Sequence, residues 1–158
     1  MTVIREVHER HGAAFETRGD REVVSHYGRP ERTHRAVRNG VGVVELGDGV
    51  LEVRGSSARA FVDEQVTTTV PREDGQGVYA LVLDAAGAIE ADVYVYNAGE
   101  RVLVFTPPSK LADVAATWAQ AASARAAAVR RATDDLAVFG VHGPQATEKV
   151  ASVLHGTS

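Results

Sequence analysis

From Ile89 to Tyr96 apolar and polar residues alternate without a break, and this run constrains the fold of the 158-residue chain more than any other feature. Side chains alternate faces along a strand. Ile89, Ala91, Val93 and Val95 therefore form an apolar set for a core, while Glu90, Asp92, Tyr94 and Tyr96 share the opposite face. The run has partners on both sides in sequence. Val78 to Asp84 precedes it across a loop containing Gly87, and Arg101 to Thr106 follows the turn at Asn97-Ala98-Gly99. Strands joined by such short turns pair antiparallel.

The rest of the chain alternates helices with strands that arrive as hairpins. Val3 to Arg10 reads as a short helix stopped by Gly12, and Phe15 to Gly19 and Glu22 to Val24 as strands broken at Gly19-Asp20. The turn His26-Tyr27-Gly28-Arg29-Pro30 opens a helix over Glu31 to Arg38 that closes on Asn39-Gly40. Val41 to Leu46 and Val50 to Arg54, joined by Gly47-Asp48-Gly49, predict a second hairpin. Ser56 is placed to cap a helix over Ala58 to Gln65, and a threonine- and valine-rich run, Val66 to Val70, ends at Pro71.

Pro107-Pro108 leads into a helix from Ser109 to about Ala122 that buries Leu111, Val114, Ala115 and Trp118 at helical spacing. The alanine-rich stretch Ala119 to Ala128 either continues this helix or gives way to a strand near Ala126 to Arg131. Leu136 to Val141 is a strand, Gly143-Pro144 a turn, and Gln145 to Leu154 a last amphipathic helix. Hairpins without regular crossover units predict an α+β fold, a largely antiparallel sheet with packed helices.

Composition narrows the functional classes. With 44% hydrophobic and 24% charged residues the chain can bury a core. It has no cysteine, which removes disulfides, thiolate nucleophiles and cysteine metal sites and fits a cytoplasmic protein. No apolar run approaches the roughly 18 residues that span a bilayer, so no membrane partner is expected. A net charge of −4 argues against general nucleic-acid binding. Eight arginines against six acids through Arg38 give the entry segment a positive balance, suited either to an ordinary solvated surface or to an anionic ligand such as a glutamate tail.

The polar face of the Ile89–Tyr96 strand is the first candidate for chemistry. Two carboxylates beside two tyrosines suit a flat, hydrogen-bonding heterocycle, with its ring against aromatics and its N–H groups on carboxylate oxygens. A solvent-facing strand of β-favouring residues has the same pattern. The histidines, His8 and His11 on one helix and His26 and His34 about Pro30, form no metal motif and read as helix-surface or turn residues, so no metal is expected. No nucleophile elbow, dinucleotide fingerprint or Walker motif occurs, and Gly75-Gln76-Gly77 reads as a turn. Gly140-Val141-His142-Gly143-Pro144-Gln145-Ala146 closes a strand and opens a helix. It is either a structural turn or a helix N-terminus open to an anion.

Taken together, these segments resemble the glycine cleavage T-protein (aminomethyltransferase) family and its folate-binding relatives of the YgfZ type. The pieces that carry the resemblance run from His26-Tyr27-Gly28, His34-Arg35-Ala36-Val37-Arg38 and Gly42-Val43-Val44 through Leu51-Glu52-Val53-Arg54-Gly55 and Gly77-Val78-Tyr79-Ala80. They continue with Asp92-Val93-Tyr94-Val95-Tyr96 and Val138-Phe139-Gly140-Val141-His142-Gly143-Pro144. The ordered set spans about Gly12 to Leu154.

In the family the hairpin loop and strand read GGxxDD-L-x-V-Y. The second aspartate falls on Asp92 and the tyrosine on Tyr96, while Ala88 and Ala91 replace a glycine and the first aspartate. A second departure lies at Glu45-Leu46-Gly47-Asp48-Gly49, where the family carries Asp-x-Ser-His-Met.

The resemblance implies a tetrahydrofolate-dependent aminomethyltransferase that takes its aminomethyl group from a lipoyl carrier protein. Asp92 would be the catalytic carboxylate, and Asp92, Tyr96, Tyr94 and Glu90 would bind the folate. The alternative it carries is a non-catalytic YgfZ-type folate-binding protein linked to iron–sulfur protein maintenance. Family members are more than twice as long, so the chain is expected to be an N-terminal half whose C-terminal half would act in cis. Residues of about 1–50 and 136–158 would belong to a central domain, and about 51–135 to a strand-rich lobe.

Overall fold

The computed structural model describes residues 4–18 and 21–154. The predicted break at Gly19-Asp20, and the chain beyond Leu154, lie outside them. The chain divides into two compact units, Met1–Gly47 with Ala137–Ser158, and Asp48–Leu136.

The second unit holds a five-stranded sheet in the order β5-β6-β7-β4-β8, with every neighbouring pair antiparallel. Its strands are β4 (Gly49–Arg54), β5 (Gly77–Leu83), β6 (Ile89–Asn97), β7 (Arg101–Thr106) and β8 (Ala128–Arg131). Helices α3 (Ala58–Gln65) and α4 (Leu111–Ala122) bury their apolar faces with one side of this sheet. Phe61 and Val62 of α3 and Leu111, Val114 and Trp118 of α4 join Leu51, Val53, Val93, Val95, Val102 and Val104 in one cluster. The rings of Phe61 and Trp118 meet edge to face at 6.1 Å between centroids. Gly49 makes room for this packing, since a Cβ there would lie 2.8 Å from the Leu111 side chain. The undecided alanine-rich stretch resolves into a helix that ends at Ala122 and a separate edge strand, β8.

Two expectations are corrected here. Val41 to Leu46 and Val50 to Arg54 do not form a hairpin. Leu46 pairs into β9 (Val138–His142) through β3 (Gly42–Leu46), whereas β4 pairs with β7 and β8. The glycine turn is a local signal, but pairing follows burial. Val50, Leu51 and Val53 are all wholly buried, so β4 needs a strand on each side and a covered surface on both faces. The helix after Gly55 begins at Ala58 as expected, but its N-cap is Ser57 rather than Ser56, and Ser57 makes no side-chain capping bond.

The first unit contains α1 (Arg5–Arg10), the β1 (Ala14–Arg18) and β2 (Arg21–His26) hairpin, α2 (Pro30–Asn39), the antiparallel pair β3 and β9, and α5 (Ala146–Val153). Pro30 stands in the first turn of α2 as its fixed φ requires. Gly143 has φ of 120°, and its backbone packs so closely on the carbonyls of Val37 and Gly40 that no side chain fits. The amide of Gln145, the N-cap of α5, donates to the Gly40 carbonyl. The strand-to-helix turn is thus structural. Among the described residues no helix is long and apolar enough to cross a membrane.

The middle of β4 carries the unusual residue of the second unit. Glu52 is wholly buried, and its carboxylate accepts from Arg101 and Arg54 at 2.8 and 2.9 Å and from Arg130. Burial by itself would raise its pKa, but hydrogen bonds from Arg101, Arg54 and Arg130 outweigh it and hold the group down to about 2. A depressed carboxylate contributes stability above its ordinary value, and that stability is lost as pH falls through the folded value. Glu52→Gln should therefore lower the unfolding free energy by roughly 3 kcal/mol at neutral pH. The difference from wild type should shrink as pH falls from 4.5 toward 2, measured by denaturant titration at each pH. A pH-independent difference would show that lost packing, not charge, is responsible.

Candidate functional site

The sheet face turned away from α3 and α4 holds three of the predicted site residues, Asp92, Tyr94 and Tyr96. Register puts Tyr79 opposite Tyr94, and Tyr94 opposite Phe105. The next row runs Gly77, Tyr96, Leu103, Glu52 and Arg130 across all five strands. Leu81 and Asp92 form a third row. Directly opposed residues share a face, so these rows make one surface.

Aromatic rings pair across the strands there. Tyr79 and Tyr94 lie 5.2 Å apart and Tyr96 and Phe105 5.5 Å apart, both edge to face. Tyr96 owes its position to Gly77, because any Cβ on Gly77 would overlap the Tyr96 ring. The ring thus lies over the bare backbone of the edge strand. Tyr79 and Tyr94 are each about half exposed.

Asp92 is exposed one row beyond the Tyr79–Tyr94 pair and, among the described residues, has no ion-pair partner. The Tyr79 hydroxyl stands 3.5 Å from its Oδ2, long for an O–H···O bond and hence a weak contact. Burial, then the charge of Asp92, raises the Tyr79 pKa above its ordinary value, so the phenol stays a hydrogen-bonding neutral group.

Strict alternation fails at the start of β6. Val82 faces Ala91, but Leu83 faces Ile89, which leaves Glu90 as an extra, unpaired residue in a β-bulge. The bulge turns Ile89 onto the outer face, where it is 66% exposed, so its predicted place in the core is wrong. Ala91, Val93 and Val95 are buried as expected. Glu90, half-buried at the bulge, no longer follows the alternation that grouped it with Asp92, Tyr94 and Tyr96.

Two elements of the surface were not singled out from sequence. Tyr79 and Phe105 come from the flanking strands, and counting outward from the two turns would have placed both beside Tyr94. In the first unit, His8 is also misjudged: it is not a helix-surface histidine but is 5% exposed. Its Nδ1 and Nε2 each lie 2.6 Å from a partner, the Tyr27 hydroxyl and Glu45 Oε2. No local pattern announces this, because the three residues come from α1, the turn before α2, and β3. Among the described residues no group of three or more His, Cys, Asp or Glu side chains is arranged to hold a metal.

The GCVT N-terminal domain family matches residues 4–158. This chain belongs to that family. An aminomethyltransferase of Nitrosococcus oceani is 26% identical over 156 residues, covering 97% of this chain and 42% of its own length. A 4-methylaminobutanoate oxidase (formaldehyde-forming) of Paenarthrobacter nicotinovorans is 33% identical over 135 residues, covering 80% of this chain and 16% of the oxidase. In structure, the glycine cleavage system aminomethyltransferase T from Bartonella henselae superposes with a TM-score of 0.81 at 21% identity, over 100% of this chain and 45% of that one. That likeness shows the fold, an α+β arrangement with antiparallel sheets. The GCVT-type chain spans less than half the length of each of these relatives.

Gly77→Val should push the Tyr96 ring off the edge strand at a cost of about 1–3 kcal/mol. The measurement is the set of nuclear Overhauser contacts between the Tyr96 and Phe105 rings, expected to weaken or vanish. Unchanged contacts would mean that Gly77 does not set the ring's position.

Proposed function

We propose that this chain is the N-terminal part of a tetrahydrofolate-dependent aminomethyltransferase of the glycine cleavage T-protein type, with Asp92 as its catalytic carboxylate. The observation that carries the reading is an exposed carboxylate, without an ion-pair partner among the described residues, beside a row of tyrosine rings on one sheet face in a chain of this family. Residues 1–47 with 137–158, and 48–136, would be a central-domain part and a strand-rich lobe. The remaining folate contacts would come from a C-terminal half.

In the family reaction an aminomethyl carbon passes from a lipoyl carrier protein to tetrahydrofolate, ammonia leaves and methylenetetrahydrofolate forms. The residues here fit such a substrate. Tyr94 and Tyr96 offer flat apolar faces to a heterocycle, and Asp92 accepts from its N–H groups. A fixed carboxylate beside the attacking nitrogen orients it and stabilises the positive charge that develops as the carbon transfers. Glu90, displaced by the bulge, would assist from the loop end. The family's first aspartate is Ala91 here, which is buried on the core side of the sheet, so its loss takes no carboxylate from the open face.

A second reading rests on the 33% identity to the formaldehyde-forming oxidase. The one-carbon unit would then arrive as formaldehyde released by an oxidase, with the same Asp92 face receiving the folate. No observation favours the YgfZ-type alternative.

Titration calorimetry with tetrahydrofolate tests the site. Asp92→Asn is expected to weaken binding at least about tenfold, equivalent to ~1.4 kcal/mol. Equal affinity of the two proteins removes Asp92 from the pocket. Absence of heat in both removes folate binding from this chain alone.

A further inference from the structure

Arginine is used in two ways in this chain. Among the described residues, Arg5, Arg18, Arg54, Arg101, Arg125 and Arg130 each stand within ion-pair distance of a carboxylate. The arginines of α2 and its N-cap differ. Arg29, Arg32, Arg35 and Arg38 are exposed and, among the described residues, form no ion pair.

Their three-residue spacing makes them successive neighbours along the helix. At 100° per residue, Arg32 and Arg35 lie on the side of α2 opposite Val37, whose side chain packs on Gly42 of β3. No residue of α2 is buried, so the stripe stands on the surface of the first unit. Like charges at this spacing repel, and Glu31, the one acidic residue of α2, pairs with none of them. Arg29, Arg32 and Arg35 line an open cleft of about 340 Å³ with Glu31, so three guanidinium groups meet a single carboxylate. Guanidinium forks left in this state are matched by planar carboxylates, which accept two parallel N–H bonds each.

The surroundings choose among anionic partners. A nucleic acid needs a broad basic footprint and rings to stack on, whereas the chain carries a net charge of −4 and α2 has no aromatic residue. A membrane surface needs an apolar helix face beside the basic one, and α2 offers only Ala36 and Val37. At a rise of 1.5 Å per residue the stripe is about 14 Å long, the span of about five residues of extended peptide. We propose that α2 docks an acidic segment of a partner protein, its carboxylates taken up by Arg29, Arg32, Arg35 and Arg38. The surface shares no residue with the Asp92 face, and failure of one leaves the other standing.

A capped oligoglutamate peptide of about six residues covers the stripe and is the probe. It is titrated into the 158-residue chain at low ionic strength and followed by the backbone amide shifts of Arg32, Thr33, Ala36 and Arg38. Saturable shifts are expected at these residues, and they should fade as salt screens the exposed charges. Capped oligoglutamine of the same length should bind at least about tenfold more weakly. Replacing both central arginines, Arg32→Gln with Arg35→Gln, should weaken oligoglutamate by at least about tenfold. Arg72→Gln, at an exposed arginine of the second unit that forms no ion pair among the described residues, should leave it unchanged.

Should the double variant lose its dispersed spectrum, Arg35→Glu alone reverses one charge of the stripe and is expected to abolish binding. Absence of saturable shifts on α2, equal binding of oligoglutamine, or full binding by a folded variant of the stripe each overturns the proposal. Equal weakening by Arg72→Gln would reduce the effect to overall charge, and tighter binding of a single-stranded oligonucleotide of equal charge would give the surface to nucleic acid. Either result also overturns it.

Discussion

A carboxylate buried in the middle of β4 sets the terms for the sheet of the second unit. Glu52 cannot stay charged in that position without cations, and the three that reach it come from β4 itself, β7 and β8. The partners lie on both neighbours of the strand, so the ion network forms only when β4 sits between β7 and β8 in this register. A slip of one residue would carry Glu52 to the helix side, towards Phe61 and Trp118, and turn Leu51 and Val53 out of the core. The network is therefore weak evidence of added stability but strong evidence of specified pairing.

Register in turn composes the surface around Asp92. The row through Glu52 also holds Leu103, Tyr96 and Gly77, so the pairing that satisfies the buried charge brings Tyr96 to the bare backbone of β5. The next row aligns Phe105, Tyr94 and Tyr79. An aromatic surface of this kind needs no enclosed cavity to hold a flat ring. It needs only rows in phase, and the helices on the far side keep them rigid through Phe61 and Trp118.

Much of this was legible in the sequence because the signals were local. α3 runs over Ala58–Gln65 and β7 over Arg101–Thr106, where periodicity and turn residues placed them. Errors arose where a distant partner overrode a local cue. Gly47-Asp48-Gly49 looks like a hairpin turn, but the burial of β4 demands other neighbours. The alternation from Ile89 to Tyr96 looks unbroken on paper, yet an extra residue at Glu90 shifts the phase and turns Ile89 outward. Composition cannot reveal a bulge, because both phases keep an apolar residue every second position.

The same distinction separates the two polar features of the chain. Asp92 was found by pattern, since a strand displays its chemistry at a spacing of two and the family segment repeats it. The Tyr27–His8–Glu45 chain was invisible to pattern, since its members lie far apart in sequence on a helix, a turn and a strand. A histidine on a short charged helix is most simply read as solvated, and only packing of α1 on β3 converts it into a buried bridge between a carboxylate and a phenol. Burying hydrogen-bonding groups such as His8 and the Glu45 carboxylate is unfavourable unless each finds a partner. Here His8 lies between both neighbours, 2.6 Å from each, and Tyr27 stays 41% exposed at the wall of a cleft that Val43 and Phe139 also line.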